Sequence, residues 1–133
     1  MAKNFFAFLT GNQEVPKVIT SALGVLTLNS NNDETGIDYT LLVYNMQKLI
    51  AAHLHLGPVG QNGPVVVPLA SVNPGLSLKQ VGIISGVITA DDLVGPLAGE
   101  TIERLIQLIE VGEIYTNVHT ENHPSGEIRG QVS

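Results

Sequence analysis

Thr20–Tyr44, TSALGVLTLNSNNDETGIDYTLLVY, decides the class of fold. Along Thr20–Asn29, Leu23, Val25 and Thr27 alternate with Ala22, Gly24, Leu26 and Leu28. Ile37–Tyr44 repeats the pattern, with Ile37, Tyr39, Leu41 and Val43 opposing Asp38, Thr40, Leu42 and Tyr44. A period of two is that of a strand, whose successive side chains point to opposite faces. The intervening SNNDETG supplies the Asn, Asp and Gly that tight turns use. Two alternating runs joined by such a turn predict an antiparallel hairpin.

The same reading extends in both directions. Phe5–Leu9 is an opening strand ended by Thr10-Gly11-Asn12, and NQEVPK is a loop in which Pro16 holds Val15 extended. Leu49–Leu56 is the next strand, and GPVGQNGP is a rigid turn into the strand Val65–Leu69. After a Pro/Gly/Ser loop, Val81–Thr89 is a strand again. Then the period changes. Ile102, Leu105, Ile106 and Ile109 fall at helical spacing, with Gly112 where a helix would stop. Thr89-Ala90-Asp91-Asp92 reads as a helix start that Gly95-Pro96 limits to a turn or two, so a helical insertion is expected over about 90–111. Strands Glu113–His119 and Glu127–Val132 close the chain. Seven or eight strands at spacings of roughly ten residues predict one all-β domain over 1–133, an antiparallel sandwich or barrel.

Composition bounds the function. With 44% apolar and 14% charged residues over 133 positions, the chain can bury a core without staples. Twelve acidic against six basic residues give a net charge of −6, with no Lys/Arg cluster. That excludes a phosphate footprint for nucleic acid and a polybasic patch for anionic membranes. The absence of cysteine removes disulfides, thiolate metal sites and cysteine nucleophiles, and leaves the compartment open. The start MAKNFFAFLTG lacks the pattern of a signal peptide, and no apolar run approaches the ~20 residues of a membrane span.

Chemistry concentrates in the histidines. In AAHLHLG, His53 and His55 share one strand face with Ala51 and Gly57, while Ala52, Leu54 and Leu56 take the other. His119 ends the strand that also carries Tyr115 and Asn117 on its own face, and His123 follows in the next turn. If the two strands are neighbours, His53, His55 and His119 converge and His123 reaches in from its turn. Borderline metals favour imidazole, so such a group suits copper or zinc. The alternative is that all four rings hold loops by hydrogen bonds. No nucleophile elbow or phosphate-cradling glycine motif occurs. Glu127 and Arg129, at i and i+2 in GEIRG, share a face and are expected to pair or to anchor a loop. The face Ile102/Leu105/Ile106/Ile109 is expected to be core.

Taken in order, GNQEVPKVITSALGVLTL, AAHLHLGPVGQNGPVVVPL, GVITADDLVGPL and GEIYTNVHTENHPSGEIRGQ resemble the CHRD domain, the module first described in chordin, from Phe6 to Val132. The resemblance implies a Greek-key or immunoglobulin-like β-sandwich and an extracellular or cell-envelope location. It also implies a shared site among Glu14, His53, His55, His119, Glu127 and Arg129, with Asn117 beside them. Lys17 stands where the family commonly has a second proline, and His123 lies in a stretch that varies. Chordin's cysteine-rich repeats are missing, so its antagonist function does not carry over. An HxH strand plus a late histidine is also similar, more loosely, to the copper–zinc superoxide dismutase plan, without its zinc loop or disulfide. Three functions follow. The first is a non-enzymatic, exported or surface-associated module acting by binding or assembly, with a second copy or other surface proteins as partners and with copper or zinc at the histidines. The second is a small copper-dependent redox enzyme, and the third a self-assembling structural domain with no ligand.

Overall fold

A computed structural model describes residues 2–133, leaving Met1 of the MAK start outside the described residues, and describes residues 78–80 by their backbone alone. The chain is mostly β. Six strands run β1 (Asn4–Thr10), β2 (Leu23–Ser30), β3 (Gly36–Leu56), β4 (Val65–Thr89), β5 (Ile114–Thr120) and β6 (Ile128–Gln131), with one helix α1 (Ile102–Glu110) between β4 and β5. The sheet order is β2-β1-β6-β5-β3-β4, and β2 also pairs with β3, so the sheet closes on itself in the manner of a barrel.

The hairpin in Thr20–Tyr44 forms as its alternation predicts, with Leu26 opposite Leu41 and Gly24 opposite Val43 in an antiparallel ladder. Asn31 organises the turn: its Oδ1 accepts from the backbone N–H groups of Thr35 and Gly36.

Two expected strand pairs are instead single long strands. β3 spans both Ile37–Tyr44 and Leu49–Leu56, because the ladder to β4 continues through Met46 opposite Leu78 and Leu49 opposite Leu76. Asn45 and Lys48 take positive φ (55° and 56°) where the register shifts, and these bulges bend the strand without ending it. Met46, between them, is fully buried. β4 absorbs the expected Pro/Gly/Ser loop in the same way. Its ladder partner is β3 alone, so Pro68 and Pro74 sit on an outer strand where a missing N–H costs little.

β3 thus passes from one half of the closed sheet to the other. Residues 37–44 lie between β2 and the end of β4, and residues 51–56 between β5 and the start of β4. The core fills the interior with Leu9, Leu26, Leu41, Val43, Leu49, Leu54, Ile88, Val118 and Ile128. The helical insertion comprises two 3-10 turns, Ala90–Asp92 and Gly95–Leu97, and then α1. Thr101 caps α1 by accepting from the Arg104 N–H, and Ile102, Leu105, Ile106 and Ile109 are buried, as their spacing predicts. Gly112, at φ 80°, follows the helix end.

Candidate metal centre

Register builds the centre. β5 pairs with β3 so that Tyr115 lies opposite His55, Asn117 opposite His53 and His119 opposite Ala51. β6 then sets Arg129 opposite Asn117 and Gln131 opposite Tyr115. Paired residues share a face, so His53, Asn117 and Arg129 form one outward row, and His55, Tyr115 and Gln131 the next. Every residue of β5 is buried, because loops cover this face.

His53, His55 and His119 come together, with one potential ligand atom from each lying within 4.8 Å of the others. His55 and His119 are buried and His53 is half-buried. The His53 Nδ1 lies 3.0 Å from His119 Nε2. His119 Nδ1 is 2.9 Å from the Pro124 carbonyl and His55 Nδ1 is 2.9 Å from the Gly63 carbonyl. A carbonyl only accepts, so both rings donate from Nδ1 and a neutral ring then has a bare Nε2. His55 Nε2 lies 2.8 Å from Asn117 Oδ1, while the amide nitrogen of Asn117 faces Glu14. Without an ion, His53 Nδ1–H donates to His119 Nε2. Moving that proton to His53 Nε2 leaves the lone pairs of His53 Nδ1 and His119 Nε2 facing one another, and His55 Nε2 joins them when it parts from Asn117.

Electrostatics keep these rings neutral. Burial, reinforced by the neighbouring His119 and His55, holds His53 down at about 4. Burial also lowers His55 and His119, against hydrogen bonds that pull them back up. Neutral imidazole is the form that binds metal. A tetrahedral or trigonal ion with bonds of ~2 Å needs nitrogens about 3.3–3.5 Å apart, so side-chain shifts of about an ångström close the set. The donors fit a borderline divalent ion, and the carbonyls of Gly63 and Pro124 orient two of them from behind.

The other predicted residues frame this group. His123 is not in it. It lines a separate cleft with Thr20, Asn45, Gln47 and Glu127. Glu127 accepts from Thr20 Oγ1 at 2.6 Å and Thr120 Oγ1 at 2.8 Å, so it ties the chain before β2 to β5. Arg129, 2% exposed, turns away from Glu127. Its guanidinium stacks 3.5 Å from the Tyr115 ring centroid and donates to the Pro58 carbonyl and Asn62 Oδ1. The expectation that these two residues pair or anchor a loop resolves to anchoring, each by its own partners. Tyr115 also stacks on His55 at 4.7 Å, and its hydroxyl accepts from the Gly63 N–H. Tyr115 was not among the site residues expected from sequence; its signal was its place two residues from Asn117 and four from His119.

Glu14 is 5% exposed, and its Oε2 has no hydrogen-bond partner. Burial pushes its carboxyl up to about 7, against the pull of the Arg129 charge and the adjacent Asn117 amide. Gly126, at φ 125°, explains the close approach: a Cβ there would stand 2.5 Å from Glu14 Oε2 and 2.8 Å from Asn117 Nδ2. Glu14, Val15, Val59 and Arg129 also line a cleft of about 360 Å³ beside the histidines' loops.

Among the described residues, no helix is long and apolar enough to cross a membrane. Comparison with curated proteins and with solved structures gave no match. The sequence model of the CHRD domain matches residues 5–132, nearly the whole chain, and the protein belongs to the CHRD domain family.

Proposed function

We propose that this domain is a non-enzymatic, exported or surface-associated binding module, and that His53, His55 and His119 hold one copper or zinc ion. The observation that carries the reading is the orientation of the imidazoles. Two of the three are fixed from behind by backbone carbonyls; the free nitrogen of one of them, His119, meets His53 Nδ1, and one ligand atom of His55 lies within 4.8 Å of both. A site built only for hydrogen bonding has no need to keep three imidazoles, held neutral chiefly by burial, in one group. Membership of the CHRD family supports the extracellular setting and the binding role. The two halves of the closed sheet, joined through the bent β3 and β4, support a sandwich description of the architecture.

The test is metal retention. The protein and a His53→Ala/His55→Ala double mutant are titrated with Cu(II) and Zn(II), and bound metal is counted after gel filtration. One ion per chain in the parent and none in the mutant is the expected result. Equal retention by both removes the metal reading and leaves hydrogen-bonded histidines. Superoxide or peroxide turnover by the copper-loaded protein would replace the non-enzymatic reading with the redox one.

A further inference from the structure

The outward face of the other half of the sheet has a different character. Register aligns Phe8, Val25, Leu42 and Ile83 in one row across β1, β2, β3 and β4. Thr10, Leu23, Tyr44 and Val81 form the row on one side, and Phe6, Thr27, Thr40 and Ser85 the row on the other. The opposite face of these strands is core, with Ala7, Leu9, Leu26, Leu41 and Val43 buried. This half-sheet is therefore apolar on both faces, whereas an antiparallel sheet with one face in water ordinarily turns polar side chains to it.

The exposure is large and contiguous. Phe6 and Phe8 are each 49% exposed, Leu23 40%, Val81 49% and Ile83 68%. With ordinary side-chain areas this is on the order of 500 Å² of apolar surface, near the top of the range for the largest patch on a monomer. With its threonines and rim it approaches the ~800 Å² that each partner gives to a standard interface. None of the twelve residues in the three rows is charged, and the next row brings Asn4, Asn29 and Asp38 as a polar rim that gives way to Val87 on β4.

We propose that this face is a homodimer interface, in which two copies of the chain pack sheet on sheet about a twofold axis. Area and charge argue for a second copy as the occupant. Two chains of net charge −6 repel each other, least where the contact adds no close pair of like charges, and this is an uncharged surface of adequate size. Relief agrees with it. The bulky Phe6 and Phe8 lie at the β1 edge, and the smaller Val81, Ile83 and Ser85 at the β4 edge. A twofold axis along the strands sets the rings of each copy over the shorter side chains of the other.

The test is sedimentation velocity of the full chain over about 1–100 µM, a range that spans ordinary dimer affinities. A species of twice 14.1 kDa is expected for the parent. Phe8→Asp and Ile83→Asp, each with unchanged circular dichroism and unchanged metal retention, are expected to weaken it at least tenfold. Because neither residue touches the histidines, failure here is separable from failure of the metal reading. A single 14.1 kDa species at the highest concentration overturns the proposal. So does a dimer indifferent to both substitutions, or a monomer that floats with phosphatidylcholine vesicles, which would assign the face to lipid.

Discussion

The two halves of β3 wall the same core but present opposite outward chemistry. At residues 42 and 44 the outward side chains are Leu and Tyr, in rows with Phe8, Leu23 and Ile83. At 53 and 55 they are histidines, in rows with Asn117, Tyr115 and Arg129. The difference lies in the cover. Over the histidine half, loops bring the carbonyls of Pro58, Gly63 and Pro124 within hydrogen-bonding reach, so polar groups there are buried and still satisfied. Over the other half the loop partners are fewer, Gln13 donating to Thr10 Oγ1 and the Phe8 carbonyl, and Thr and apolar residues take the positions. A sheet face can thus host buried chemistry only where loops provide the partners that water otherwise supplies.

Substitutions that strip one side of this comparison test it. The largest effect is expected from Arg129→Ala. It removes a buried cation, its two loop hydrogen bonds and its stack on Tyr115, and leaves Glu14 without its opposing charge, at a cost of about 3–4 kcal/mol in urea unfolding. A loss under about 1 kcal/mol would mean that the covered half does not depend on its polar network.

Glu14 comes next, with a defined pH signature. Its folded pKa, about 7, lies above the ordinary glutamate value of 4.5, so the folded state binds the extra proton between these limits. Stability from this group is complete below 4.5 and is lost as pH rises through 7. Glu14→Gln is expected to abolish that decline, and so to gain on the order of 2 kcal/mol relative to the parent at pH 8, read from thermal or urea unfolding across pH. An identical pH profile in the two proteins would show that the carboxyl is solvated.

Metal binding supplies a third test. Because His53 is held down at about 4, protons compete with the ion at lower pH than at an ordinary histidine site. Zn(II) affinity is expected to change less than about tenfold from pH 7 to pH 6, and to collapse as pH approaches 4. A steep loss centred near 6.5 would mean that the rings are not packed together as neutral groups. The smallest effect belongs to the uncovered half. Ile83→Thr is expected to change the unfolding free energy of the dilute monomer by no more than about 0.5 kcal/mol, since the side chain leaves one solvated environment for another.

Much of this was legible from local spacing. The alternations through Thr20–Tyr44 and the i, i+3, i+4, i+7 face of Ile102–Ile109 lead directly to β2, the first half of β3 and α1. Punctuation misled at two places. Asn45–Lys48 and Pro74-Gly75 read as strand ends, yet the ladder between β3 and β4 carries both strands through them as bulges. A local breaker ends a strand only when no partner holds the backbone on either side.

The candidate site divides the same way. The spacing of His53 and His55 determined that they share a face, because successive side chains of a strand alternate whatever surrounds them. The GEIRG spacing predicts one face for Glu127 and Arg129, but Glu127 stands before β6, where strand alternation does not reach it. Only tertiary structure decided that His119 joins the pair while His123 faces another cleft, and that Arg129 stacks on Tyr115 rather than pairing with Glu127. Only it showed that the outward rows of β1 to β4 form one continuous apolar surface. The physical reason is the same in each case. Side-chain period is a property of one strand, whereas convergence depends on the register between strands far apart in sequence and on which loops close over them.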